Sequence, residues 1–341
     1  MTKVLLRDVA LRAGVSTALV SYVLNNQKVG RISKDAEQRI RAAVKELGYR
    51  PNQLAQSLKR NRTFSIGLIV ADIANPFSSA LARIISDEAE RAGYTLIIGS
   101  SDESKEKSEK LINNFRDRQV DGFIIAAAEG TEDTIKALHE QNIPLVLIDR
   151  LFPGMAVHSV TVDNYDASYK AAQYLARSGK QRIGIVAYDT SLYHLQERVR
   201  GANEALVNAG FKQSQMITVA VKAQEVESDM RMCIAQLKNE RVDAIFFTSN
   251  KLGVAGLRYL NAYQLHVPED VSVVMFDDSE AFEFFPVALT LIRQPLENMG
   301  QTAVKLLLDQ LGEMSAAPVQ LMLETVFVTG ESVSFANSKN K

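Results

Sequence analysis

Six polar segments each follow a short apolar run: "ADIANPF" (71–77), "IDR" (148–150), "VDN" (162–164), "YDTSLYHLQER" (188–198), "TSNK" (248–251) and "FDDSEAF" (276–282). Within them Asp163, Arg198, Asn250 and Asp277 form a set whose carboxylate, guanidinium and amide groups can fix hydroxyl groups by directed hydrogen bonds. Phe77, Phe152, Tyr188, Tyr193 and Phe276 offer faces on which a ring can stack. That chemistry is recognition of a small polar ligand. Asp and Asn are also favoured in caps and turns whatever the function, and for any single residue that reading stands beside the ligand role. For turnover the chain has little to offer. No nucleophile, base and orienting group occur together. His139, His158, His194 and His266 are scattered without metal-ligand spacing. His139 and His266 are expected at the surface, and His194, in a candidate pocket loop, is expected to touch ligand rather than act as a base. Neither GxGxxG nor GxxxxGK[ST] occurs. A lone Cys233 excludes an internal disulfide and a multi-cysteine metal site. The expectation is a non-enzyme with no catalytic residue, no metal and no cofactor beyond a small-molecule effector.

The elements that must hold these loops are legible from Ser65 onward. Apolar runs alternate with helical patterns: "SIGLIV", Ser78–Ala92, "YTLIIG", Lys105–Arg118, "GFIIA", Thr131–Gln141, "PLVLID". A second series follows: Ala167–Ser178, "RIGIVA", Leu195–Ala209, "AIFFT", Gly253–Tyr263, "VSVVMF". Strands alternating with helices imply parallel sheets covered on both faces. Two series imply two doubly wound α/β lobes, with ligand outside the carboxyl ends of the strands.

Charge divides the chain differently. Residues 1–62 carry 13 Lys and Arg against 4 Asp and Glu, a balance of +9, while the remainder carries 26 against 36, a balance of −10. A positive head on a negative body is the footprint of a nucleic-acid-binding domain. In the head, "RDVALRAG" reads as a short helix ended by Gly14, and Ser16 can cap a second in "GVSTALVSYVLNN". A third helix, capped by Ser33, supplies Ile40, Val44 and Leu47 to the core. The spacing is that of a helix-turn-helix; a small protein-interaction domain has the same pattern. On the second helix Leu19, Val20, Val23 and Leu24 form the apolar arc. Ser16, Thr17, Ala18 and Tyr22 are left to face DNA, with Ser21 and Asn25 suited to phosphates. The segment "NQLAQSLK" reads as a two-turn helix too short to stand alone in water. It carries Leu54 and Leu58 on one face and leads into a basic stretch from Lys59, as a hinge that folds only when held.

Taken jointly and in order, "DVALRAGVSTALVSYVLNN", "ELGYRPNQLAQSLK", "IGLIVADIANPF", "VDGFIIA", "VTVDN", "VPEDVSVVMFDD" and "LTLIRQPLENMG" resemble the lactose-repressor (LacI/GalR) family of bacterial transcriptional regulators. The resemblance implies a helix-turn-helix DNA-binding domain at 1–49, a hinge helix and linker at 50–62, and a two-lobed, periplasmic-binding-protein-like effector and dimerisation domain at 63–338. It implies that two hinges pair in the minor groove through Asn52, Leu54, Ala55, Leu58 and Lys59, with Leu58 as an apolar wedge. Asp163, Arg198, Asn250 and Asp277 fall on family ligand positions, and Phe77 and Gln294 match more loosely.

Two departures matter. Tyr22 stands where the family commonly has an arginine, which reads guanine bidentately, so the operator half-site is expected to differ. Lys251 stands where the family often has an aspartate. It favours an acidic ligand if it faces the pocket and is a surface detail if it does not.

The expected function is a ligand-controlled, sequence-specific regulator of carbohydrate-related genes, a repressor by resemblance. It would bind a pseudo-palindromic DNA operator as a homodimer in the cytoplasm, away from membranes. The helix around Ser78–Ala92 is expected in the dimer interface by resemblance, and the lack of a leucine-heptad tail points away from a tetramer. The alternative is a cytoplasmic sugar-binding protein without specific DNA binding. If Leu58 is the wedge, Leu58→Ala should weaken operator binding about tenfold or more while non-specific binding changes little. Equal losses in a titration of operator against scrambled duplex would remove that role.

Overall fold

The computed structural model describes residues 4–25, 32–49, 62–312 and 317–335. The hinge expectations at Asn52, Leu54, Ala55, Leu58 and Lys59 lie outside the described residues. The chain divides into two units, Met1–Thr63 and Phe64–Lys341.

The first unit holds α1 (Leu6–Ala13), α2 (Thr17–Leu24) and α3 (Lys34–Leu47). Gly14 takes a left-handed conformation (φ 65°), as a tight turn between α1 and α2 requires. The Ser16 hydroxyl accepts from the Leu19 amide and the Ser33 hydroxyl from the Ala36 amide, capping α2 and α3. Val9, Ala10, Ala13, Val20, Val23, Ile40 and Ala43 are buried together. Leu19, Leu24, Val44 and Leu47 pack around them, half-buried. Arg39 donates to the Ala13 carbonyl at 3.1 Å, fixing α3 on the end of α1.

In the second unit the first lobe begins with β1 (Ser65–Val70), α4 (Pro76–Arg91), β2 (Thr95–Ser100), α5 (Lys105–Asp117) and β3 (Gly122–Ile125). It continues with α6 (Glu132–Glu140), β4 (Leu145–Ile148) and β5 (Ser159–Val162). The second lobe holds α7 (Asn164–Arg177), β6 (Ile183–Tyr188), α8 (Tyr193–Asn208), β7 (Met216–Val221), α9 (Val226–Asn239), β8 (Ala244–Phe247), α10 (Asn250–Ala262), β9 (Ser272–Phe276) and β10 (Thr290–Arg293). The chain then returns: α11 (Leu296–Leu311) packs in the first lobe's core, β11 (Gln320–Leu323) pairs with β5, and β12 (Val326–Val328) pairs with β10. The sheet orders are β11-β5-β4-β3-β1-β2 and β12-β10-β9-β8-β6-β7. Among the described residues only the β10–β12 pairing is antiparallel. Three crossings therefore join the lobes.

Central strands β3, β4, β8 and β9 are buried throughout, which is why they read as continuous apolar runs. The edge strand β7 alternates buried and exposed positions and breaks that texture. The helices begin earlier than their apolar periodicity suggests, α7 at Asn164 rather than Ala167 and α10 at Asn250 rather than Gly253. The first turn of each is polar, because its amides take partners from caps.

One glycine sets a crossing that the ligand cleft depends on. A Cβ on Gly201 of α8 would lie 2.2 Å from the Tyr165 carbonyl oxygen of α7. Backbone, unlike a side chain, cannot turn aside. Gly201→Ala should push α8 off α7 and cost about 1–3 kcal/mol, read as a lowered denaturant midpoint. Because α8 carries His194 and Arg198, ligand affinity should fall with it.

Candidate ligand cleft and DNA-facing helix

A cleft of about 380 Å³ opens where the two sheets present their strand ends. This is the crevice outside the carboxyl ends of parallel strands. From the second lobe, the second turn of α8 brings Arg198 into it, 3 % exposed. Its Nε donates to Asn164 Oδ1 at 2.8 Å and Nη1 to the Thr248 carbonyl at 2.8 Å. Nη1 lies 3.6 Å from Asp277 Oδ2, and the guanidinium sits 3.5 Å over the Phe276 ring. Asp277 in turn accepts from Gln294 Nε2 at 2.6 Å. From the first lobe, Arg150 is held by both carboxylate oxygens of Glu103, at 2.6 and 2.7 Å, and donates to the Ala127 carbonyl. Its Nε lies 3.5 Å from Asp149 Oδ2.

The two halves repeat one device. Asp149 follows β4 and Asp277 follows β9, strands at equivalent places in the two sheets. Both residues are left-handed, at φ 68° and 73°. Such backbone costs about 1–3 kcal/mol at a non-glycine and gathers at ligand sites. In each lobe it turns a carboxylate beside a buried arginine. Burial pushes the Asp149 carboxyl up against the pull of Arg150, and lowers Arg198 against the pull of Asp277. The Tyr188 phenol, half-buried on the cleft, is pushed up to about 12 by desolvation.

Two buried polar atoms lining this cleft, His194 Nδ1 and Gln294 Oε1, have no hydrogen-bond partner, and Arg150 Nε has only the Asp149 carboxylate at 3.5 Å. Native interiors seldom leave such atoms unpaired, since each costs about 1–3 kcal/mol. Gathered in one concavity, they describe the polar groups a ligand must supply.

Contacts between the lobes close the rim. Asn250 Nδ2 donates to Asn75 Oδ1 at 3.0 Å, Lys251 Nζ lies 3.6 Å from Asp72 Oδ2, and the Thr190 hydroxyl donates to Glu129 at 3.1 Å. Among the described residues no three His, Cys, Asp or Glu gather as a metal would require. No described helix is long and apolar enough to cross a membrane.

Of the residues singled out from sequence, Phe77, Arg198, Lys251, Asp277 and Gln294 line the cleft. Asp163 is set to one side: its carboxylate caps α7, accepting from the Asp166 amide at 2.8 Å, and lines a small adjoining recess that shares Asp149 and His194 with the cleft. Asn250, the first residue of α10, does not line the cleft, and its amide is spent on Asn75 of the other lobe. Both are corrections: each side chain is engaged within the protein, Asp163 by the cap of α7 and Asn250, next to the capping Ser249, by the other lobe. Phe152 packs against the first lobe's core, and Phe276 lies beneath Arg198. Sequence reasoning missed Glu103, Asp149, Arg150, Asp72 and Glu129. "IDR" was visible as a loop, but nothing local marks an arginine whose partner lies 47 residues away.

On α2, Thr17 and Ala18 are exposed and Ser21 and Tyr22 half-buried. Asn25 Nδ2 donates to the Ser21 carbonyl at 2.7 Å. The face is uncharged and, apart from Tyr22, small, so a duplex can approach its backbone closely.

His194 is fully enclosed, and burial together with Arg150 and Arg198 holds its imidazole neutral, well below the ordinary 6.5. Below pH 6.5 the unfolded chain binds a proton there that the folded body does not. Stability is therefore lost as pH falls from about 6.5, by up to about 1.4 kcal/mol per unit, until the buried imidazole itself protonates. In melts between pH 6.5 and 5, His194→Gln should show a shallower decline than the parent chain. Parallel curves would rule out this linkage.

Comparison with known proteins accords with this geometry. Residues 5–52 match the lacI family of bacterial regulatory proteins, and residues 172–333 match the periplasmic binding protein-like domain. The HTH-type transcriptional regulator DegA of Bacillus subtilis (strain 168) is 31% identical over 301 residues, 87% of this chain and 88% of its own. The ribose operon repressor of Halalkalibacterium halodurans is 29% identical, covering 98% of this chain and 99% of its own. The transcriptional regulator CelR–cellobiose complex is 29% identical, with a TM-score of 0.71 over 97% of this chain and 100% of that one. The chain belongs to the LacI family: it is a transcriptional regulator with a helix-turn-helix DNA-binding head and a ligand-binding body of the periplasmic-binding-protein type.

Proposed function

We propose that the protein is a cytoplasmic repressor of carbohydrate-related genes, released from or driven onto its operator by a small polyhydroxylated effector bound in the cleft. The observation that carries this reading is the paired device of Arg198 with Asp277 and Arg150 with Asp149, facing one cavity that also holds the unpartnered buried His194 Nδ1 and Gln294 Oε1. Guanidinium and carboxylate side by side offer donors and acceptors at the spacing of neighbouring hydroxyls. The cavity lies at the small end of the about 300–1,000 Å³ usual for ligand pockets. A similar regulator solved as a complex with cellobiose is consistent with it. The cleft serves to bind rather than turn over, and no cofactor is invoked.

A homodimer reading a pseudo-palindromic site fits a single short recognition helix per chain, which alone covers one half-site. On α4 the outward residues Ser79 and Ala80 are small, and Ile98 on the edge strand β2 is 45 % exposed; both suit a partner copy. The effector acts only through its different affinity for the DNA-competent state.

The test is a thermal-shift screen of the full-length protein with pentoses, hexoses and disaccharides, since a bound ligand raises apparent stability by mass action. Asp277→Asn should raise the Kd of whichever sugar stabilises the parent about 10- to 100-fold in calorimetric titration, and should also lower the ligand-free melt, because the buried Arg198 loses its carboxylate. Unchanged affinity would place the ligand elsewhere. The same effector should alter operator affinity, and that affinity should fall steeply with salt, as phosphate contacts demand. Sugar binding with no specific, salt-dependent DNA binding would favour a plain sugar-binding protein.

A further inference from the structure

We propose that Glu103 sets the ligand class of the cleft: by neutralising Arg150 from within the protein, it makes the site one for uncharged polyols and turns away their carboxylate analogues. The inference rests on the sugar-sensing reading and narrows it.

Arginine in a binding cleft ordinarily invites an anion, because its fork of donors matches a carboxylate. Here that fork is already taken. Glu103 occupies both terminal nitrogens of Arg150, at 2.6 and 2.7 Å, in a pair whose side chains are 8 % and 31 % exposed. The loop after β2 is shaped to bring it there. Asp102 and Glu103 are consecutive left-handed residues, φ 50° and 59°, and the Glu103 amide is tied to the Ala71 carbonyl at 3.1 Å. Backbone strain at two adjacent non-glycine positions persists only where surroundings enforce it.

The other cations of the cleft are answered in the same way. Arg198 stands against Asp277, and Lys251, the residue that from sequence suggested an acidic ligand, stands against Asp72 across the lobes. In all, three cationic side chains line the cleft against seven carboxylates. Burial opposes ionisation of Glu103, yet Arg150 holds its carboxyl below the usual range, so it is a charged counter-ion at neutral pH. A ligand carboxylate entering this field would have to displace Glu103 or sit unpaired beside it, and an uncharged hydroxyl faces neither penalty.

The experiment compares full-length parent and Glu103→Gln by thermal shift and calorimetric titration. The probes are sodium glucuronate, galacturonate and gluconate beside glucose and galactose, at matched ionic strength. Neither uronate nor gluconate should stabilise the parent beyond sodium chloride. In Glu103→Gln at least one acid should gain saturable binding, about tenfold or more over the parent, and Glu103→Gln/Arg150→Gln should lose that gain. Saturable acid binding to the parent that Arg150→Gln removes would overturn the proposal, as would no gain for any acid in Glu103→Gln. If Glu103→Gln does not fold, the parent's response decides alone: acid binding refutes, its absence supports. Failure of every neutral sugar to bind would instead strike the sugar-sensing reading, and the acid gain in Glu103→Gln would still score the role of Glu103.

Discussion

Buried charge is the constraint around which the body of this protein is arranged. A guanidinium taken out of water must be met by carboxylates, carbonyls or a ring face, or the fold that buries it does not persist. Arg150 and Arg198 are both almost fully buried, and each is met from several directions by elements distant in sequence. Satisfying them fixes where β4 and β9 end, why Asp149 and Asp277 adopt left-handed backbone, and why α8 must cross α7 closely enough to need Gly201. The cavity is what remains after the protein has met most of that demand by itself.

The two lobes are thereby more than two copies of a sheet. Each supplies one arginine and one aspartate, and each leaves part of its hydrogen-bonding capacity to whatever enters. A ligand that joins the halves adds to bridges already present at the rim, Asn75 with Asn250 and Asp72 with Lys251. The Lys251–Asp72 pair is partly exposed and weak, and the Asn75–Asn250 contact is a single neutral hydrogen bond, so the balance between lobe arrangements is within reach of a small molecule's binding energy. The head works by the opposite economy: its core is seven small or branched apolar side chains, and its outward face on α2 is kept short and uncharged.

Much of this was readable in the chain. Caps at Ser16 and Ser33, the turn at Gly14, the alternation of apolar runs with helical periods and the charge split at residue 62 are local signals, each carried by a few neighbouring residues. Asp277 was legible because polar residues at the carboxyl ends of parallel strands face the crevice by topology alone; Arg198, on the second turn of α8, was legible from the polar segment after β6 and the family resemblance. Asp163 and Asn250 show where that rule fails. A strand end is also a helix start, and which side chain serves the cap, which the other lobe and which the cleft depends on a degree of helix rotation that composition does not encode.

Sequence by itself determined the elements, their order, the basic head and the family, because these follow from periodicity, capping chemistry and net charge, which act over a turn or two of chain. Only the tertiary structure decided that α11 and β11 return to the first lobe, that Lys251 answers Asp72, and that Glu103 closes on Arg150. These are pairings over tens to hundreds of residues. Their energy comes from shared burial, and no stretch of sequence records which distant partner will share it.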